Sequence, residues 1–284
     1  MNIVSLHDNF FFKKMIKHLL LVLLLIFQFN AFCVDRFRFA FITDMHIDVN
    51  NEQATQDLQS AINEINNNNE IEFILVGGDV TENGDSTSLS NAKQLLDQLK
   101  KPYYITFGNH DVRASKPDNR LYTTIFGSDR FSFSYKDVHF IGFSTVPVSN
   151  YGAGYIATRD IAWIKTELAL LMPEKPLIVT THYPLLTGDV DNWYEMTDVL
   201  RKYNIQAILN GHYHRNALLN YDGIAGLVNR STLRGKEIKG GYSIYTVSDS
   251  LSVSEKLIDS DEREWLTIPI EKRLYEAPDK SLRK

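Results

Sequence analysis

Five short apolar runs in this chain each end in a compact cluster of polar residues and glycine. The clusters are Asp44-Met45-His46, Gly77-Gly78-Asp79, Gly108-Asn109-His110-Asp111, Thr181-His182 and Gly211-His212-Tyr213-His214. The first three runs are separated by stretches whose apolar residues recur at helical spacing. Strand, helix, strand, helix, strand predicts parallel βαβ units, in which ligands gather outside the carboxyl ends of the strands. The sequence therefore predicts an α/β fold that collects its polar clusters at one edge.

The remaining elements follow from the same patterns. The first half is predicted to contain the strands Arg36–Thr43, Phe73–Val76 and Tyr103–Phe107 and a helix over Ser86–Leu99. The second half is predicted to contain a hairpin of Phe131–Tyr135 and Val138–Phe143, a helix capped by Thr158, the strands Leu177–Val179, Gln206–Leu209 and Gly241–Val247, and a helix over Trp193–Tyr203. No repeat or low-complexity linker divides the chain. We expect one domain over residues 34–270 and a charged, solvated tail over 271–284.

Residues 1–33 have the features of a signal peptide. Three lysines, the last of them Lys17, precede an apolar stretch over His18–Phe27, and Ala31-Phe32-Cys33 follows as a cleavage site. The alternative is an uncleaved membrane anchor, but the apolar stretch is shorter than the roughly 20 residues that a spanning helix needs. We expect an exported protein without stable membrane insertion after cleavage.

Charge and cysteine content limit the possible partners. The one cysteine, Cys33, lies in the predicted leader, so no disulfide is expected in the processed protein. The formal net charge of −5 argues against a broad surface for a nucleic-acid polymer. Small phosphoesters remain possible substrates, because bound metal ions would invert the local field.

The side chains of the clusters are those of a transition-metal site. A lone histidine is more often structural, but here five clusters each end a predicted core strand. Seven residues offer suitable donor atoms: Asp44, His46, Asp79, Asn109, His182, His212 and His214. Mixed nitrogen and oxygen donors without thiolate suit Mn, Fe, Zn or Co better than calcium, and the two oxygens of Asp79 can bridge two ions. Two such ions about 3.5–4 Å apart can act on a phosphoryl centre.

The order Asp-x-His, Gly-Asp, Gly-Asn-His-Asp, His, Gly-His-x-His resembles the calcineurin-like metallophosphoesterases over about Phe39–His214. The resemblance implies a four-layer αββα sandwich, in which two mixed β-sheets are flanked by helices. It implies two ligand sets that share one aspartate: Asp44, His46, Asp79 and His214 for one ion, and Asp79, Asn109, His182 and His212 for the other. A hydroxide held by the metals would attack phosphorus in line.

The same resemblance assigns His110 to the chemistry. His110 would stay free of metal and stabilise the developing charge or protonate the leaving oxygen, with Asp111 orienting its ring.

One difference from a related group of enzymes narrows the branch of the family that this chain resembles. Purple acid phosphatases have a metal-binding tyrosine three residues after the Gly-Asp aspartate, where this chain has Glu82. The segment Gly78–Gly84 instead resembles the cyclic-nucleotide phosphodiesterase-like branch.

Some residues support weaker interpretations. Arg113 and Tyr183 are predicted to contact the substrate, while His139, in the middle of a strand, is predicted to be structural. Asn229-Arg230-Ser231 matches a glycosylation sequon. The leading hypothesis is an exported two-metal phosphodiesterase acting on a cyclic nucleotide or a glycerophosphodiester. The alternatives are a phosphomonoesterase with the same centre and a non-catalytic metal-binding relative.

Overall fold

The structure is a computed structural model that describes residues 34–114, 120–146, 153–273 and 275–276. The predicted signal peptide lies outside these residues. Val34–Lys284 forms one compact unit. Within the described ranges, no helix has the length and apolar character needed to cross a membrane.

The described strands form two mixed six-stranded sheets. The first contains, in spatial order, β12 (Glu262–Pro269), β11 (Ser250–Leu257), β10 (Gly241–Val247), β1 (Phe37–Ile42), β2 (Ile71–Val76) and β3 (Tyr103–Ile105). The second contains β4 (Phe131–Tyr135), β5 (Val138–Gly142), β6 (Leu177–Thr180), β7 (Ile205–Asn210), β9 (Ile224–Val228) and β8 (Ala217–Tyr221). Strands β1 to β3 are parallel in the first sheet, as are β5, β6, β7 and β9 in the second.

The helices are α1 (Glu52–Asn67), α2 (Ser86–Leu96), α3 (Arg120–Phe126), α4 (Thr158–Ala169) and α5 (Trp193–Leu200). Asp85 caps α2 by accepting hydrogen bonds from two backbone N–H groups of its first turn. The prediction that Thr158 caps α4 is wrong by one residue, because Ala157 is the last residue with extended backbone and Thr158 is already helical. Helices α2 and α5 both end before their predicted last residues.

Strand β1 shows how the layers are held together. All six of its residues are buried, because one face packs on the opposite sheet and the other on helices. Phe37, Phe39 and Phe41 belong to the core between the sheets, where the ring of Phe39 stacks on Tyr245 at 4.9 Å between centroids. Ala40 and Ile42 belong to the core beneath the helices. The predicted four-layer arrangement is confirmed.

Burial also decides whether the sequon at Asn229 is accessible and whether His139 is structural. The Asn229 side chain is fully buried and donates to the carbonyl oxygens of Asn210 and Leu227, so the sequon is inaccessible in the folded protein. His139 is buried in β5, with its ring nitrogens hydrogen-bonded to Ser132 and Ser134. The structural role predicted for this histidine is confirmed.

The beginning of the predicted tail is bound to the domain. The backbone N–H of Arg273 donates to the side chain of Asn204 at 2.9 Å, and the hydroxyl of Tyr275 donates to the carbonyl of Ile205. The start of the predicted solvated tail is thus held to the domain at Arg273 and Tyr275, while Glu271, Lys272 and Glu276 are exposed as expected of a solvated segment. Residues 277–284 lie outside the described part of the chain.

Candidate metal centre

The parallel strands bring the predicted ligands to one edge of the two sheets. Asp44 and His46 follow β1, Asp79 follows β2, Asn109 follows β3, His182 follows β6, and His212 and His214 follow β7. Their placement at the carboxyl ends agrees with the general position of ligand sites in such sheets. The structure thus places side chains that are up to 170 residues apart in the sequence around one centre.

The backbone at these strand ends is strained. Five predicted ligands have a positive φ: Asp44 (54°), His46 (50°), Asp79 (48°), His212 (70°) and His214 (54°). Each such conformation in a residue other than glycine costs about 1–3 kcal/mol and persists only where the surroundings impose it. Backbone hydrogen bonds between the first two clusters hold this geometry, for example from the N–H of Asp44 to the carbonyl of Gly78. Concentrated strain of this kind indicates a functional site.

The first donor group consists of Asp44, His46 and His214. Their donor atoms all lie within 4.8 Å of one another. The Nε2 atoms of the two histidines are 3.1 Å apart, and Oδ1 of Asp44 lies 3.2 Å from Nε2 of His214. The ring of His46 donates from Nδ1 to the carboxylate of Glu82, so its Nε2 lone pair faces the group. Such converging lone pairs fit a cation.

The second donor group consists of Asp79, His182 and His212, again within 4.8 Å. The buried ring of His182 donates from Nδ1 to the carbonyl of Gly77, and its Nε2 lies 3.2 Å from Oδ2 of Asp79. Among the described residues, Nε2 of His182 and Oδ1 of Asn109 are buried and have no hydrogen-bond partner. Since buried polar atoms are rarely left unsatisfied, these two atoms fit a metal ion that both could bind.

Asp79 connects the two groups. Its Oδ2 lies 3.2 Å from Nε2 of His182, 3.9 Å from Nε2 of His46 and 3.8 Å from Nε2 of His110. Its Oδ1 accepts a hydrogen bond from the backbone N–H of His110. One oxygen is therefore fixed by the loop while the other faces both groups, which is the geometry that a bridging carboxylate needs. Metal binding by the seven residues stays a prediction.

Burial and charge shift the pKa values of these residues in opposite directions. Burial is the largest single influence and would raise the pKa of Asp79 and lower that of His182, but the attraction between these two residues and to their other charged and hydrogen-bonding neighbours together outweighs it. The pKa of Asp79 is held well below its usual range, and that of His182 is raised to about 9. Burial lowers the pKa of His212 to about 4. A cation bound between Asp79 and His182 would displace the proton of His182, so metal binding should release protons.

Two glycines are required by close approach to the carboxylates. A Cβ atom on Gly108 would lie 2.2 Å from Oδ1 of Asp79, and one on Gly211 would lie 2.5 Å from Oδ2 of Asp44. Both distances are far below van der Waals contact. The glycines of these two clusters thus allow the backbone to pass directly against the predicted ligands.

Asp111 does not orient the ring of His110, so that prediction is wrong. The ring donates from Nδ1 to the carbonyl oxygen of Glu82 at 2.8 Å. The two oxygens of Asp111 instead accept from the backbone N–H groups of Thr81 and Gly108, and burial raises the pKa of Asp111 to about 7. The reason is local geometry: His110–Val112 is a 3-10 turn, in which consecutive side chains point roughly 120° apart.

The two predicted substrate contacts have different surroundings. Arg113 is about half exposed, and its guanidinium donates to Nε2 of His110 at 2.7 Å, at the open side of the centre. Tyr183 is buried, and its ring packs edge-on against His212 with centroids 4.3 Å apart. Tyr183 therefore packs against a predicted ligand, and the contact of Arg113 with the substrate stays a prediction.

Sequence reasoning missed the role of Glu82. It identified this position only as a departure from purple acid phosphatases, but its carboxylate contacts His46 at 2.8 Å and Arg113 at 2.9 Å. A bridge between Ile47 and Thr81 places Glu82 beside the segment of His46. The sequence signal for this role is the presence of a carboxylate, Glu82, three residues after Asp79.

Comparison with known proteins agrees with the resemblance seen in the sequence motifs. The family model described as calcineurin-like phosphoesterase matches residues 37–216. A probable cyclic nucleotide phosphodiesterase of Ruthia magnifica subsp. Calyptogena magnifica is 30% identical over 229 residues, which cover 75% of this chain and 94% of that protein. A probable glycerophosphodiester phosphodiesterase of Arcobacter nitrofigilis is 26% identical over 157 residues, covering 51% of this chain and 57% of that protein.

A solved structure supports the same fold. A dimetal phosphatase from Danio rerio superposes with a TM-score of 0.66 at 14% sequence identity, covering 83% of this chain and 99% of that chain. At this identity the likeness shows the fold alone. It confirms two mixed sheets flanked by helices as the framework of the centre.

Proposed function

Because this chain belongs to the calcineurin-like phosphoesterase family of metal-dependent phosphoric ester hydrolases, we propose that it cleaves small phosphodiesters. The substrates would be of the cyclic-nucleotide or glycerophosphodiester type, in keeping with the names of its relatives. The observation that carries the proposal is the position of Asp79, whose Oδ2 faces both donor groups and can join them into one two-metal centre.

The residues around the centre have separate expected roles in the reaction. When bound, two ions would supply an activated water and positive charge at the phosphoryl oxygens. Asp44 is fixed for ligation because its carboxylate accepts from the backbone N–H of His212 and the hydroxyl of Thr43. Arg113 would hold a phosphate oxygen at the open side. His110, whose Nε2 lies 3.8 Å from Oδ2 of Asp79, would give a proton to the leaving oxygen from its doubly protonated ring, because in the structure its Nδ1 donates to the carbonyl of Glu82 and its Nε2 accepts from Arg113.

A small cavity beside His214 supports a small substrate. Its volume is about 110 Å³, and its other lining residues are Arg230, Ser231, Leu233, Arg234, Gly235 and Ile238. Both guanidinium groups are already paired with carboxylates, Arg230 with Glu255 and Arg234 with Asp57. The cavity therefore suits the compact, polar alcohol part of a diester better than a long or strongly anionic chain.

The diester preference is tested by paired substrates. We expect the Mn²⁺-loaded protein to hydrolyse bis-p-nitrophenyl phosphate with a higher kcat/KM than p-nitrophenyl phosphate. It should then release phosphomonoester from 3′,5′-cyclic AMP or from glycerophosphocholine. A strong preference for p-nitrophenyl phosphate would favour the phosphomonoesterase alternative, and no hydrolysis of any phosphoester with both ions bound would favour a non-catalytic relative.

Export is part of the proposal and rests on residues 1–33. Their charged start, apolar centre and Ala31-Phe32-Cys33 sequence are typical of a cleaved leader. We expect expression in a bacterium to yield protein outside the cytoplasm with Val34 as its first residue, as read by N-terminal sequencing. Full-length protein that stays in the membrane fraction would instead support an anchor.

A further inference from the structure

Glu82 contacts three side chains around the centre without belonging to either predicted ligand set. Its Oε2 lies 2.8 Å from Nδ1 of His46, and its Oε1 lies 2.9 Å from Nη1 of Arg113 and 3.2 Å from Nδ1 of His110. The carboxylate is about 40% exposed, whereas the ring of His46 is almost fully buried. One half-exposed carboxylate therefore meets a predicted ligand, the predicted acid and the predicted phosphate contact.

The contact with His46 determines which ring nitrogen can bind a metal. A carboxylate only accepts hydrogen bonds, so Nδ1 of His46 must donate to Glu82 and Nε2 must present its lone pair. That Nε2 lies 3.1 Å from Nε2 of His214 and 4.0 Å from Oδ1 of Asp44. A carboxylate that holds a histidine in this way fixes the ring and makes it a better ligand.

The second ligand set is held by other groups. His182 donates to the carbonyl of Gly77, and His212 packs against the ring of Tyr183. Asp79 is fixed through the backbone N–H of His110. The side chain of Glu82 should therefore act on one metal position and leave the other unchanged.

The contact with Arg113 extends this control to the open side of the centre. Arg113 donates to the carboxylate of Glu82 and to Nε2 of His110, so the same acid that fixes His46 also fixes the guanidinium. The ring of His110 is held mainly by the backbone carbonyl of Glu82 at 2.8 Å, which any side-chain substitution would retain. Changes at Glu82 should thus affect His46 and Arg113 more than His110.

We propose that Glu82 is a positioning residue that holds His46 for the metal set of Asp44, His46, Asp79 and His214 and aligns Arg113 for the substrate. The inference rests on the two-metal centre of the proposed function, but not on which ester is hydrolysed. It predicts that only one of the two metal positions depends on Glu82, a difference that the ligand motifs alone do not indicate.

The test measures binding of Mn²⁺ or Co²⁺ by titration calorimetry and by metal analysis after equilibrium dialysis, without substrate. Glu82→Ala should lower the affinity of one ion by about 10–100-fold, the range for loss of an outer partner, and leave the other unchanged. Glu82→Gln should lose less, because its amide oxygen can still accept from His46. The visible spectrum of the Co²⁺ protein should change with the weakened position.

Two further variants separate the effect of Glu82 on metal binding from its effect on substrate binding. In a His214→Ala background, which already lacks a ligand of the first set, Glu82→Ala should cause little further loss of metal. Arg113→Ala should keep both ions at full affinity while raising KM. Asp48→Ala is the matched control, since it removes a nearby carboxylate that contacts Asn83 and the backbone of Asn50.

In folded protein, unchanged binding of both ions in Glu82→Ala, or equal weakening of both, would overturn the inference; should Glu82→Ala fail to fold, equal binding of both ions in Glu82→Gln and in the wild type would do so. The result is independent of substrate identity. A wild-type protein that binds two ions but hydrolyses no diester would contradict the proposed function and leave the role of Glu82 intact.

Discussion

Asp79→Asn is expected to remove stable binding of the two-metal centre and to lower kcat/KM by at least about 10³-fold. The size follows from losing several kcal/mol of transition-state stabilisation by metal ions, with each 1.36 kcal/mol worth a factor of ten. The physical reason is the position of Oδ2, which faces His182 at 3.2 Å and His46 at 3.9 Å. An amide lacks the charge, and when its oxygen accepts from the backbone N–H of His110, its NH2 group faces both donor groups and cannot bind a metal ion. Metal content after dialysis and kcat/KM for a diester measure the two effects.

The fold should survive this substitution, which makes the outcome interpretable. Asparagine keeps the shape of the side chain, and its amide oxygen can still accept from the backbone N–H of His110. We expect the rise in Tm that added Mn²⁺ gives the wild type to disappear. Asp160→Asn is the matched control, because it neutralises another buried aspartate, one paired with Arg130 outside the ligand sets and the cavity lining. Asp79→Asn with two tightly bound ions would contradict the bridging role.

His110→Ala is expected to keep both metal ions but to slow turnover by about 10²–10⁴-fold, the range for loss of general acid–base catalysis. The metals should stay because Asp79 is held by the backbone N–H of His110, which alanine retains. The loss should depend on the leaving group. An alkyl alcohol needs a proton to leave, whereas p-nitrophenolate does not, so kcat should fall more for an alkyl diester than for bis-p-nitrophenyl phosphate.

His139→Ala is the control for this second prediction. It removes a different histidine, one that is buried in β5 and bonded to Ser132 and Ser134, outside the predicted ligand sets. It should lower the free energy of unfolding and leave the leaving-group dependence unchanged. Equal losses for both diesters in His110→Ala, or no loss at all, would show that this histidine does not act as the acid.

Local sequence patterns predict the order of the elements from β1 to β7, with the exception of α3, and the polar residues that end the parallel strands, but they do not predict β12. Apolar periodicity is a local property, and the run Phe37–Ile42 is apolar enough to indicate burial on both faces. Because parallel strands share a carboxyl edge, the sequence alone predicts that the polar clusters form one site. The two ligand sets came from resemblance to the family.

The side chains that support the ligands depend on contacts between distant segments of the fold. Sequence proximity favoured Asp111 as the partner of His110, but the 3-10 turn directs it to Thr81 and Gly108 instead. Glu82 reaches His46 because a β-bridge pairs Ile47 with Thr81, two residues that are more than thirty positions apart in the sequence. No local pattern encodes that contact. Burial of Asn229 likewise depends on the packing of whole strands. Local sequence indicates most elements and the polar residues that follow the strands, whereas the exact helix ends, the orientation of side chains and their second contacts depend on how distant segments pack.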